Sequence, residues 1–174
     1  MTNSRSMTGK AEIPMTTIPF PVSAAANRVY LMPGEFHVAV LPTQINTILG
    51  SCVSICLWDS RHRVGAMNHY LLPEWHDGDR SSTRFGNVAT LAILEGLLDL
   101  GCEPKHMKAK VFGGAALFTG AERYAGSLGA KNVEIALRML AHANIPVIGQ
   151  DTGGQHGRRV IFDTGDCSAW SRKV

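Results

Sequence analysis

Cys52 and His69 are the residues whose types most directly suggest chemistry. A free thiol is only a few per cent thiolate at neutral pH, and a neighbouring imidazole can activate it as a nucleophile. Such a pair suits attack on a carbonyl carbon followed by protonation of the departing group. The plain alternative is a small buried hydrophobe at Cys52 and a hydrogen-bonded core ring at His69. In Leu49-Gly50-Ser51-Cys52, Gly50 permits a tight turn, and the backbone N–H groups around Ser51 and Cys52 could then point at a developing oxyanion. Cys52, Cys56 and His69 could instead be three metal ligands, but a Cys-x3-Cys pair on a strand without a fourth ligand is a weak zinc pattern.

The elements that must position these side chains follow from periodicity. Val53, Ile55 and Leu57 alternate with Ser54, Cys56 and Trp58, which predicts a strand ending at the turn-forming Asp59-Ser60-Arg61-His62. Val64 to Leu72 reads as the returning strand, closed by Pro73. If Trp58 faces Arg63, then Cys56 faces Gly65, Ser54 faces Met67 and Cys52 faces His69. Directly opposed residues have Cβ atoms about 4.5–5.5 Å apart, so this pairing would let thiol and imidazole meet. A one-residue slip would send one of them to the other face.

A first short strand is expected over residues 36–41, before Pro42. A helix is expected from Asn87 as N-cap to Leu100, stopped by Gly101, and a second from Asn132 as N-cap to Ala143, before Ile145-Pro146. Short apolar runs at 109–112, 147–149 and 159–163 read as further strands. A hairpin together with strands separated by helices predicts an α/β or α+β fold, a mixed sheet rather than an all-parallel one.

The chain has 174 residues, 45% of them apolar, a size suited to one domain plus a tail. Four of its eight prolines lie at or before Pro33 among Thr, Ser, Asn and Ala, so residues 1–33 are expected to be a flexible arm and 34–174 a single domain. The net charge of +3 with no basic block argues against nucleic acid as partner. The best apolar run, Val88 to Leu94, ends at Glu95, too short for a membrane span. With no secretory pattern visible, the expected address is cytoplasmic and the four cysteines are expected to be thiols. Gly113-Gly114 resembles a phosphate nest only loosely, and no nucleotide-binding glycine pattern is present.

Several blocks taken in order are similar to those of the chemoreceptor glutamine deamidase family, CheD. They are Leu49-Gly50-Ser51-Cys52-Val53, Gly65-Ala66-Met67-Asn68-His69-Tyr70-Leu71-Leu72-Pro73, Phe85-Gly86-Asn87-Val88-Ala89, Lys108 to Ala115, Asn132-Val133-Glu134 and Asp151 to Arg158. The resemblance covers roughly residues 35–165. It implies an amidohydrolase that converts particular glutamines of methyl-accepting chemotaxis receptors to glutamates with release of ammonia, through a Cys52 thioester and with His69 as base. It also implies a threonine just upstream of the nucleophile that orients the histidine. Thr47, five residues before Cys52, is favoured, and Asn46 at six could do the same. A mixed β-sheet or β-sandwich flanked by helices, similar to the catalytic domain of the cytotoxic necrotizing factor toxins, is the implied fold. The implied partners are receptor cytoplasmic helices and, for an adaptor role instead of catalysis, a CheC-type phosphatase. No cofactor or metal is expected. In this setting Gly113, Gly114, Gly153 and Gly154 are expected to shape the cleft, with Arg158 near its rim.

Overall fold

The computed structural model describes residues 27–76, 82–116 and 126–174. Nine strands form two sheets: β1 (Asn27–Tyr30), β2 (Phe36–Ala39), β3 (Thr43–Leu49), β4 (Val53–Asp59), β5 (Val64–Asn68), β6 (Met107–Gly113), β7 (Val147–Thr152), β8 (Arg158–Asp163) and β9 (Ala169–Lys173). One sheet runs β1-β3-β8-β9 and the other β2-β5-β4-β6-β7. Both are mixed, since β1 pairs parallel with β3 and β6 parallel with β7 among otherwise antiparallel neighbours. The expected α+β class, a mixed sheet flanked by helices, is what the chain adopts.

Helix α1 (Gly86–Asp99) and helix α2 (Leu128–His142) pack on one face of the five-stranded sheet. Strand β4 therefore has two dry sides. Its odd residues Val53, Ile55 and Leu57 join Ala89, Ile93, Leu97, Ala136 and Leu140 under the helices. On its other side Cys56, with Cys52 and Trp58, meets Ile45 and Leu49 of β3 and Val160 and Phe162 of β8 in the layer between the sheets. Period-two alternation thus sorts one strand into two different cores.

Several elements differ from the sequence reading. β1 lies inside the expected arm: it pairs with β3, and Leu31 just after it is buried in the inter-sheet core. The remaining residues of that arm, 1–26, lie outside the described residues. Strands β3 and β9 had no clear sequence signal. In β3 the inward positions are Thr43, Ile45, Thr47 and Leu49 while Ile48 is exposed, so two hydroxyls inside and one isoleucine outside blur the alternation. Helix α1 starts one residue early, and Asn87 does not cap it; its amide instead bonds the backbone of Trp75. Helix α2 begins at Leu128, four residues before its expected cap, and is capped by Ser127, which accepts from the Ala130 N–H. Asn132 falls within that helix, fully buried.

Candidate functional site

The β4–β5 hairpin pairs Asp59 with Val64, Trp58 with Gly65 and Cys56 with Met67. The expected pairing was displaced: each partner lies two residues further along β5 than predicted. The turn explains the shift. Asp59 stays in the strand and its Oδ1 accepts from the N–H groups of Arg61 (2.8 Å) and His62 (2.7 Å), while Arg63 takes a left-handed φ of 57°. The four-residue turn therefore starts at Ser60 rather than at Asp59. The same register returns at Val53 and Tyr70, which exchange two main-chain bonds.

A displacement of two preserves the face. Continued along the strands, the register sets His69 opposite Ser54, and Cys52 one pair further on, opposite Leu71. Cys52 and His69 are therefore diagonal neighbours rather than a directly opposed pair, and such diagonals lie about 7–8 Å apart. Between them and the regular ladder the strands are held by side chains: Asn68 Oδ1 accepts from Ile55 N at 2.8 Å, and Ser54 Oγ donates to the Asn68 carbonyl.

Both side chains belong to the inter-sheet layer. Cys52 is part-buried against its apolar core. His69 is 2% exposed, and its Nδ1 lies 2.7 Å from Thr47 Oγ1 on β3, in the facing sheet. The Thr47 hydroxyl donates to the Leu31 carbonyl at 2.9 Å, which leaves its lone pair to accept from Nδ1–H. That tautomer puts the free lone pair on Nε2, which is buried and has no hydrogen-bond partner. A buried ring nitrogen left open in the layer that also holds Cys52 is a chemical signal that packing alone does not explain. Asn46, the alternative to Thr47, points to the other side of β3, where its amide reaches the carbonyls of Val29 (3.5 Å) and Gln44 (3.4 Å).

Burial acts on both groups in the same sense, against charge. It pushes the Cys52 thiol above its ordinary value, with the residue's own backbone N–H pulling the other way. Burial also lowers His69, opposed by the Leu31 carbonyl and the Glu35 charge. In both groups burial therefore favours the neutral form.

The turn carrying Cys52 is clamped from three sides. The Ala115 N–H donates to the Gly50 carbonyl and the Gly114 N–H to the Cys52 carbonyl, both at 2.8 Å. Asn132 Nδ2 donates to the Ser51 carbonyl at 2.9 Å and to the Leu71 carbonyl at 2.8 Å, bridging the segment before Cys52 to the one after His69. Tyr70 Oη in turn donates to the Asn132 carbonyl at 2.5 Å. Gly113, with φ of 108°, lies so close that a Cβ there would sit 2.2 Å from the Cys52 carbonyl oxygen. A Cβ on Gly114 would strike Val133 and the Gly129 backbone, so this glycine joins the turn to α2. Gly50 itself needs no left-handed backbone.

Gly153 and Gly154 form the next loop, tied in by Gly153 N–H to Gly113 O and Ala116 N–H to Gly154 O, each 2.8 Å. Arg158 is 5% exposed, and its guanidinium holds the Asp151 carboxylate at 2.9 Å together with the carbonyls of Asp151 and Gly153. It braces that loop from inside rather than standing at a rim. The three-ligand alternative does not form: Cys56 is buried in the inter-sheet core, and Cys52, Cys56 and His69 do not converge as a donor set.

Sequence reasoning missed Asn132 as a member of the site. Its signal was present, because a polar residue on the same helix stripe as Ala136 and Leu140 is out of place unless its amide is needed. Leu31, whose carbonyl fixes the Thr47 hydroxyl, had no sequence signal.

The family described as CheD chemotactic sensory transduction matches residues 71–173, from just after His69 to the penultimate residue. A probable chemoreceptor glutamine deamidase CheD 1 of Anaeromyxobacter dehalogenans is 46% identical over 154 residues, covering 88% of this chain and 89% of that one. An alignment of that length cannot leave out residues 47–69. Probable chemoreceptor glutamine deamidases CheD of Trichlorobacter lovleyi and Sulfurimonas denitrificans are 40% and 37% identical, covering 79% and 78% of this chain and 84% and 86% of theirs. Two antiparallel strands that put a thiol and a Thr-held imidazole into one layer, and likeness along most of the chain, converge on one assignment: this chain belongs to the CheD family.

Proposed function

We propose that this chain is a chemoreceptor glutamine deamidase with Cys52 as nucleophile, His69 as general base and acid, and Thr47 as the residue that holds the ring. The observation that carries the reading is the open Nε2 of His69, fixed in tautomer by Thr47 and lying on the same face as Cys52.

Because both groups are neutral at rest, His69 Nε2 takes the thiol proton as Cys52 sulfur attacks the glutamine carboxamide carbon. Negative charge moves to the carboxamide oxygen, where N–H groups of the Gly50–Cys52 turn are the candidate donors. Collapse of the intermediate breaks the C–N bond, His69 returns the proton to nitrogen, and ammonia leaves a thioester. Water then attacks with its proton passing to Nε2, and release of glutamate restores the thiol. Asn132, Gly113 and Gly114 hold the turn while the proton moves. The substrate helices belong to receptor cytoplasmic domains, which places the reaction in the cytoplasm. No helix among the described residues is long and apolar enough to cross a membrane.

The test is to incubate the chain with receptor cytoplasmic fragments that carry glutamines at methylation sites, measure ammonia and locate new glutamates by mass spectrometry. Stoichiometric ammonia and glutamate are expected. Glutamate formation that is unchanged in Cys52→Ala would refute the mechanism.

A further inference from the structure

At the end of β4 remote from Cys52, a second trio of donors converges that deamidation does not use. Asp59 ends the strand, His62 lies in the turn beyond it, and Cys102 follows α1; one ligand atom from each lies within 4.8 Å of the others. Asp59 is fully buried. Its Oδ1 accepts the two turn N–H groups and lies 3.3 Å from His62 Nδ1, but Oδ2 is buried with no hydrogen-bond partner. The Cys102 S–H, a weak donor, also reaches this carboxylate, and a buried carboxylate oxygen held no better than that favours a cation. The cationic side chains nearby go elsewhere: Arg61 and Lys105 both pair with Glu103, at 3.9 and 2.6 Å. Cys102 is also buried, and burial together with the Asp59 charge and a side-chain hydrogen bond to Asp59 holds its thiol up at about 11.

We propose that Asp59, His62 and Cys102 form a binding site for a borderline-soft divalent cation, Zn2+ foremost. The donor set of one carboxylate oxygen, one imidazole nitrogen and one sulfur fits zinc and disfavours the all-oxygen preference of magnesium or calcium. Three protein ligands leave a fourth tetrahedral position for water. On binding, Cys102 loses its proton to solvent as the sulfur–metal bond forms, Asp59 Oδ2 gains a partner, and His62 supplies a neutral ring nitrogen. The His62 side chain, 39% exposed, opens the entry path. The ion would pin the β4–β5 turn to the segment after α1. Seven residues of extended strand, roughly 20 Å, separate it from the nucleophile.

Cobalt(II) tests this directly, because a thiolate ligand gives a near-ultraviolet sulfur-to-cobalt charge-transfer band. Titration of the reduced, metal-free full chain is expected to saturate that band at one cobalt per chain, with displacement by zinc. The band is expected to survive in Cys52→Ala and to be lost in Cys102→Ser. His62→Ala changes a part-exposed turn residue that the core tolerates, and it is expected to weaken cobalt binding by about tenfold or more. Absence of the band at saturating cobalt overturns the proposal. So does a band that persists in Cys102→Ser and disappears in Cys52→Ala, or an affinity unchanged in His62→Ala.

Discussion

The two ends of strand β4 each gather a thiol, an imidazole and an oxygen, yet the third member makes them chemically different. At the Cys52 end the imidazole of His69 is held by a neutral hydroxyl, Thr47, and its far nitrogen is left open in the inter-sheet layer. At the other end His62 lies against a buried carboxylate, Asp59, whose charge also raises the Cys102 thiol. A hydroxyl fixes the tautomer without adding charge, so a proton can move on and off Nε2. A buried carboxylate instead favours whatever brings positive charge. Surroundings differ as well. Gly113 and Gly114 bring a backbone up against the Cys52 turn, whereas the Asp59 end is an ordinary solvent-side turn with Arg63 left-handed at its close. The comparison teaches that the same residue types meet different chemistry according to the group that holds the ring.

The comparison breaks most sharply on the cysteines. Cys52→Ala is expected to reduce deamidation by at least about 10^4-fold, since no other group can form the thioester. Cys102→Ser is expected to leave kcat/KM within about twofold, because it lies at the far end of the strand. Equal losses in both variants would erase the distinction between the two ends.

Next in size is the base. His69→Ala is expected to lower kcat by about 10^2–10^4-fold with the protein still folded, as judged by near-ultraviolet circular dichroism. A His69→Ala enzyme retaining half its rate would remove the imidazole from the mechanism.

Thr47→Val leaves Nδ1–H and the Leu31 carbonyl without their hydroxyl, at about 1–3 kcal/mol, or roughly tenfold to a hundredfold in kcat/KM. Thr47→Ser should recover most of that loss, and Asn46→Ala should cost little because its amide faces the other side of β3. A larger loss in Asn46→Ala than in Thr47→Val would reverse the assignment.

The smallest effect is on the pH profile. Burial lowers His69, and protonation removes its Nε2 lone pair, so activity is lost as pH falls through that lowered pKa. The acid limb of kcat/KM is expected to have its midpoint below the ordinary histidine value of about 6.5. A profile that instead declines as pH rises through neutrality would mean that an imidazolium is required.

Much of this arrangement is legible in the sequence. Alternation in 53–58 and the return of the chain after the turn are local, and period two assigns faces whatever even shift the register takes, so Cys52 and His69 fall on one face even though the expected pairing is misplaced by two. The misplacement came from Asp59, whose side-chain bonds to the turn backbone keep it in the strand. Asn132 was read as a helix start because asparagine favours caps. Its role as a clamp depends on Ser51 and Leu71, which lie about 60–80 residues away in the chain.

By itself the sequence determined that Cys52 and His69 share a face, the hairpin that carries them and the α+β class, because each rests on residue chemistry or on neighbours close along the chain. Tertiary structure alone decided that Thr47 rather than Asn46 meets the ring, that Leu31 fixes its hydroxyl, that burial favours the neutral thiol and imidazole, and that Asp59, His62 and Cys102 converge. Those outcomes depend on which strand lies across from which and on how much water is excluded between them. Both are properties of contacts made far apart in the chain, and no local pattern encodes them.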